Sequence, residues 1–121
     1  MDFDQRRQSF EERCVAGANS NYYYTMGGIL AYQQIGVKMN KLVLGVPYFA
    51  HDYLCQDYSE NLQCYIEPKE FRGSKCSSAV ATKVPLNQMD SYDELGPKQF
   101  WDEHSSTLVY NYVVRNDSKY M

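Results

Sequence analysis

Four cysteines carry the clearest covalent chemistry in this sequence. Cys55, Cys64 and Cys76 lie close together in a stretch rich in Gly, Ser and charge, and Cys14 stands further upstream. An even count in such a setting predicts disulfides and an oxidising compartment. Spacing alone leaves their connectivity open. Zinc is the competing use of cysteine, but no Cys-x-x-Cys pair is present, and His51 and His104 sit at no ligand spacing. No metal is therefore expected, and both histidines read as surface residues. Acid–base chemistry needs carboxylates at defined spacings. The acidic pairs Glu11-Glu12 and Asp102-Glu103 lack such spacing and read as solvated helix or loop charges. Asn116-Asp117-Ser118 fits the N-glycosylation acceptor pattern, which makes Asn116 a modification candidate. The twelve tyrosines combine an apolar ring with a hydroxyl, which suits sugar or protein surfaces. They suit half-buried β-strands equally well.

The 121 residues fit one domain or part of a larger one. Acidic residues exceed basic ones by 15 to 12, and Arg6-Arg7 is too short to form a basic patch. No nucleic-acid partner is expected from that balance. No apolar run is long enough to span a bilayer, so no membrane partner is expected either. The N-terminus has no apolar segment of the signal-peptide kind. Disulfide chemistry without a secretion signal leads to the expectation that an N-terminal part is missing.

Helical composition runs from Gln5 to about Ala18, with Phe10 and Cys14 four apart, until Asn19-Ser20-Asn21 breaks it. A second helix is predicted from about Tyr22 to Ile35. Met26, Ile29 and Leu30 form its stripe and Gly36 its stop. Gly27-Gly28 weakens it by about 1 kcal/mol per Gly relative to Ala. Lys41 to Pro47 is a short continuous apolar run of the kind found in parallel strands buried on both faces. Residues 50–85 read as a long irregular excursion, followed by a short helix near Asn87–Leu95. Thr107 to Val114 alternates like a strand, residues 115–118 look like a turn, and a return strand would start near Tyr120.

Several stretches, taken in order, resemble the chitobiase branch of the family-18 glycoside hydrolases. Met1-Asp2-Phe3-Asp4 is similar to that family's M-x-Y-D motif at the end of the sixth barrel strand. Lys41 to Tyr48 resembles the seventh strand. Asp52-Tyr53 with Cys55, Cys64, Phe71-Arg72-Gly73 and Cys76 is similar to a cysteine-bearing insertion, and Phe100-Trp101-Asp102 and Tyr110-Asn111-Tyr112 resemble its later parts. The resemblance implies an α/β fold: a partial (β/α)₈ TIM barrel, about strands 6–7 with the intervening helices, plus an α+β insertion. Residues 1–49 would be the barrel remnant and residues 50–121 the insertion.

It also implies N-acetylglucosamine oligosaccharides of the chitin or glycan-core type as ligands, no cofactor, and a lysosomal or secreted full-length parent. The family's reaction is substrate-assisted, with one glutamic acid as proton donor. That glutamate lies in a D-x-x-D-x-D-x-E motif, which this sequence does not contain. No residue here is expected to be catalytic. The substrate-facing positions implied are Phe3, Asp4, Tyr48 and Phe49. Phe3 stands where the family has Tyr, and Phe49-Ala50 where it has Tyr-Gly, so two hydroxyls are absent from the cleft. Each such loss costs about 0.5–1.5 kcal/mol. Asp4 has a second reading as a helix cap, and Phe3 and Phe49 as barrel packing. Two other functions are compatible with the residues: a non-catalytic binder of chitin-type sugars through Tyr48, Phe49 and Trp101, and a small disulfide-linked interaction domain. An apolar strand at Leu42–Val46 without neighbours would leave an open edge prone to association.

Overall fold

A computed structural model describes residues 13–59 and 63–114, together with the backbone of residues 117–120. The element order is β1 (Cys14–Val15), α1 (Tyr22–Gln34), β2 (Phe49–Leu54), β3 (Asp57–Tyr58), β4 (Cys64–Ile66), β5 (Thr82–Pro85), α2 (Asp90–Asp93), β6 (Lys98–Asp102), β7 (Thr107–Val114) and β8 (Asp117–Tyr120). Two antiparallel sheets result. A three-stranded sheet has the order β1-β4-β3, and a five-stranded sheet the order β5-β2-β8-β7-β6. The architecture is a small α/β arrangement, and the described residues contain no barrel and no parallel pair.

Helix α1 forms where its end signals place it. The Asn21 side chain accepts from the Tyr24 N–H at 3.1 Å, a cap that satisfies one of the first-turn donors. Gly36 closes the helix with φ +90°, a conformation that costs glycine little. Its N–H donates to the Gln33 carbonyl at 2.9 Å and the Val37 N–H donates to the Tyr32 carbonyl at 3.0 Å. This pair of bonds is the Schellman arrangement. The expected stripe is not buried, however. No residue of α1 is buried, and Leu30 is 51% exposed. The helix is held chiefly at its start, where the Tyr22 N–H donates to the Ser105 carbonyl in the β6–β7 turn.

Three local expectations are corrected. The helix expected to reach Ala18 is not helical where it is described: Cys14 and Val15 pair with Ile66 and Tyr65 instead. The disulfide between Cys14 and Cys76 and the β4 ladder override the local helical pattern. Residues 5–12 of that helix lie outside the described residues. The strand expected at 41–47 has no ladder either. Met39–Lys41 is a 3-10 turn, and the following run stays unpaired with Val43 94% exposed. A two-faced apolar strand needs a neighbour on each side, and no described strand lies beside it. Residues 50–85 are irregular only in part: β2 to β5 lie within or at the edge of that range, and between β4 and β5 there is only an isolated bridge and a 3-10 turn.

The short helices near residue 90 and the strand Thr107–Val114 match the sequence reading. The return strand begins at Asp117, three residues earlier than expected. It pairs along its whole length with β7, from Val114↔Asp117 to Asn111↔Tyr120, and also joins β2 through Tyr53↔Tyr120.

Two small cores hold the sheets. One contains Cys14, Tyr53, Cys55, Cys64, Ile66 and Cys76, with disulfides Cys14–Cys76 and Cys55–Cys64 at its centre. All four cysteines are thus paired. The turn that delivers Cys76 is built by Arg72 and Gly73, both at positive φ, with Phe71 and Ser74 exchanging backbone bonds of 2.9 and 3.0 Å. Positive φ at both central residues is the primed hairpin turn, and Gly73 takes its second central place. The other core packs Val84 and Tyr112 against Ala50, Met89, Tyr92, Tyr110 and Val114. The Tyr58 hydroxyl, donating to Asn111 Oδ1 at 3.0 Å, links the small sheet to β7 of the large one.

The two disulfides close loops of very different length, with sequence separations of 62 and 9. On loop-closure entropy, losing Cys14–Cys76 should cost about 4 kcal/mol and losing Cys55–Cys64 about 3 kcal/mol. Urea denaturation of the two double Cys→Ala variants checks the order, and a larger loss from the shorter loop would contradict it. The uncovered run at 42–47 generates a second expectation. The chain should associate with rising concentration, and Val43→Lys should move sedimentation profiles toward monomer by placing a charge on the open segment. Profiles insensitive to Val43→Lys would mean that this run is not the contact.

Candidate functional site

A groove of about 1240 Å³ runs between α1, the segment Met39–Tyr48 and the β2–β5 ladder. The pairing Phe49↔Pro85, Ala50↔Val84, His51↔Lys83 and Asp52↔Thr82 fixes which side chains reach it. Strand alternation sends Phe49, His51 and Tyr53 to one face of β2, and Ala50 and Asp52 to the other. The entrance to β2 is pinned from two sides. The Asn19 side-chain amide donates to the Phe49 carbonyl. The Leu86 N–H donates to the Tyr48 carbonyl at 3.1 Å.

Of the substrate-facing residues named from the sequence, Tyr48 and Phe49 both line this groove. Tyr48 is 80% exposed and offers an open aromatic surface. Phe49 is engaged on its ring: the Lys83 ammonium lies 4.8 Å from its centroid and the His51 ring 5.4 Å away. Phe3, Asp4 and the glycosylation candidate Asn116 lie outside the described residues. Trp101 sits on β6, at the far edge of the large sheet, 59% exposed, and does not line the groove. His104 is an exposed turn residue whose N–H donates to Asp102 Oδ1 at 3.1 Å.

His51 departs from its reading as a surface residue. It lines the groove and is half-buried. Nδ1 lies 3.4 Å from the Tyr53 hydroxyl, which itself donates to the Gly17 carbonyl at 3.2 Å. Burial, and next the charge of Lys83 across the ladder, push the His51 imidazole below its usual pKa. Sequence reasoning missed His51 and Lys83 because residues 50–85 were read as irregular. The available signal was the alternation Phe49, His51, Tyr53, which has the period of a strand.

The other face of β2 has opposite character. Asp52 is buried beside Tyr112. Burial, and then the Asp52 carboxylate, push the Tyr112 phenol well above its usual pKa. The Tyr92 ring meets Tyr112 edge-on at 5.5 Å. Among the described residues no group of His, Cys, Asp or Glu side chains converges to hold a metal ion. No helix there is long and apolar enough to cross a membrane.

The depressed His51 pKa has a definite sign. Below about pH 6.5 the unfolded chain takes up a proton that the folded chain resists, so stability falls as pH drops through that window. Urea midpoints between pH 7.5 and 5.5 should fall for the parent chain and fall less for His51→Phe. Equal slopes would show that His51 is not responsible.

No family model matches the chain, and no solved structure matches it. Curated proteins do. The chain is 34% identical over 113 residues to human di-N-acetylchitobiase, covering 93% of this chain and 29% of that protein. The mouse di-N-acetylchitobiase is also 34% identical over 113 residues, 31% of its length. A probable di-N-acetylchitobiase 2 of Dictyostelium discoideum is 37% identical over 95 residues, covering 74% of this chain and 25% of that protein. Over nearly all of its length, therefore, this chain is homologous to the di-N-acetylchitobiases, and it spans about three-tenths of the length of the mammalian relatives it matches.

Proposed function

We propose that this chain forms part of a chitobiase-type glycoside hydrolase, where it supplies wall to the substrate cleft and no catalytic acid. The alignment over 113 residues with proteins named di-N-acetylchitobiase carries the reading. The ligand is an N-acetylglucosamine oligosaccharide. Residues 1–49 are the barrel portion, around strands six and seven, and residues 50–121 the inserted α+β portion. The unpaired apolar run at 42–47 supports this division, because such a sequence is suited to the middle of a parallel sheet. Phe3 and Asp4 join Tyr48 and Phe49 along the cleft. Tyr48 presents the stacking surface, and Phe49, with its ring covered by Lys83, braces the strand behind it.

Hydrolysis requires a proton donor at the glycosidic oxygen. The D-x-x-D-x-D-x-E segment that supplies one is not among these residues. The pair of buried disulfides fits an oxidising compartment, lysosomal or secretory. The non-catalytic binder is the second reading, favoured by a groove with an open aromatic face.

The purified chain should release no N-acetylglucosamine from di-N-acetylchitobiose above the buffer rate. Turnover by the chain alone, abolished in Asp4→Ala, would overturn the reading. Chitotriose should nevertheless bind. Tyr48→Ala should weaken it about 2- to 10-fold, the worth of one aromatic stacking contact. Absence of both hydrolysis and sugar binding would favour the disulfide-linked interaction domain.

A further inference from the structure

We propose that His51 and Lys83 form an oxyanion-binding corner in the groove, a seat for a sulfate, phosphate or carboxylate group. The two residues are direct cross-strand partners, which places their side chains next to each other on one face of the sheet. Both line the groove, as does Lys41 from the segment before β2, and among the described residues no Asp or Glu lines it. Lys83 is held over the Phe49 ring rather than by a carboxylate. The nearest acid along the strand, Asp52, belongs to the opposite face beside Tyr112. Once His51 is protonated, two cationic groups stand side by side with no counter-charge among the described residues, and an oxyanion between them removes their repulsion.

The hydrogen-bond arrangement also fits an anion. With the Tyr53 hydroxyl proton donated to the Gly17 carbonyl, its oxygen suits the His51 tautomer that carries the proton on Nδ1. Nε2 is then the acceptor in neutral His51 and becomes a second donor on protonation. Among the described residues, the groups facing His51 are Lys83 from β5 and Phe49 and Tyr53 from β2, with Asn19 and Lys41 elsewhere on the groove wall. None of them is acidic. Oxyanion binding therefore strengthens as the pH falls through the titration of His51. The oxyanion reaches the corner either free in solution or as a substituent on a saccharide resting against Tyr48.

The test follows the His51 ring-proton resonance of the whole 121-residue chain. The probes are inorganic sulfate, N-acetylglucosamine 6-sulfate and unmodified N-acetylglucosamine. Both sulfate-bearing probes should shift the resonance. Their affinity should fall about tenfold in Lys83→Met, in line with the loss of one charge-assisted contact, and be retained in Lys83→Arg. Affinity should rise from pH 7.5 to 5.5 in the parent chain and, followed by titration calorimetry, stay level in His51→Gln. Tighter binding of the sulfated sugar than of inorganic sulfate identifies a saccharide-borne anion, and equal binding a free one. Sulfate binding without any sugar contribution would leave the corner standing and count against the sugar reading. Neutral and sulfated sugars binding alike, or sulfate affinity unchanged in Lys83→Met, would overturn the corner and leave the sugar reading intact.

Discussion

The covalent tie between Cys14 and Cys76 is the constraint on which the other contacts depend. Of the nine buried apolar side chains among the described residues, four are cysteines. A core this small does not bury enough surface to order the chain by apolar contact alone, and cross-links substitute for missing core in such cases. The Cys14–Cys76 bond joins chain regions 62 residues apart and ties β1, already paired with β4, to the segment after the Arg72-Gly73 turn. The Cys55–Cys64 bond then closes the β3–β4 region against it. Tyr53, buried in the same cluster, is positioned by the two bonds together. Its hydroxyl meets His51 Nδ1, so the disulfide core reaches the groove through a single tyrosine.

What the sequence disclosed follows the range of the interactions involved. Helix α1 was legible because its cap and its stop lie within a few residues of the helix itself: Asn21 at one end and Gly36 at the other. Thr107–Val114 was legible because eight residues of alternation outweigh local ambiguity. The strands β2 to β5 were not, because each is six residues or fewer and is set by partners far along the chain. Cys14 shows the same limit in reverse, since its helical spacing from Phe10 is local while its disulfide is not. Of the candidate site, Tyr48 and Phe49 were named in advance. The partnership of His51 with Lys83 was invisible, because a ladder register cannot be read from either strand alone.

The unburied surface is as informative as the core. Helix α1 has no buried residue and carries no charged side chain. The run at 42–47 beside it is apolar and unpaired. A stretch of chain with these properties is stable in water only where its ends are held, and here they are. Asn21 and the Ser105 carbonyl hold the start of the helix. The Asn19 and Leu86 contacts hold the chain at Tyr48 and Phe49. The chain spans about three-tenths of the length of the mammalian relatives it matches.

Strand β2 joins these regions because its two faces answer different demands. One face sends Asp52 inward beside Tyr112, where burial holds the phenol protonated and able to donate. The other sends Phe49 and His51 to the groove, where the ladder brings in Lys83. A one-residue slip of the β2–β5 register would exchange these faces. It would put the carboxylate beside the lysine, neutralise the groove, and leave a histidine among the tyrosines of the second core. The Leu86–Tyr48 backbone bond and the Asn19 contact to the Phe49 carbonyl oppose that slip at the point where the strand begins. The electrostatic sign of the groove is therefore set by backbone pinning at Tyr48 and Phe49, just ahead of His51 and its cross-strand partner Lys83.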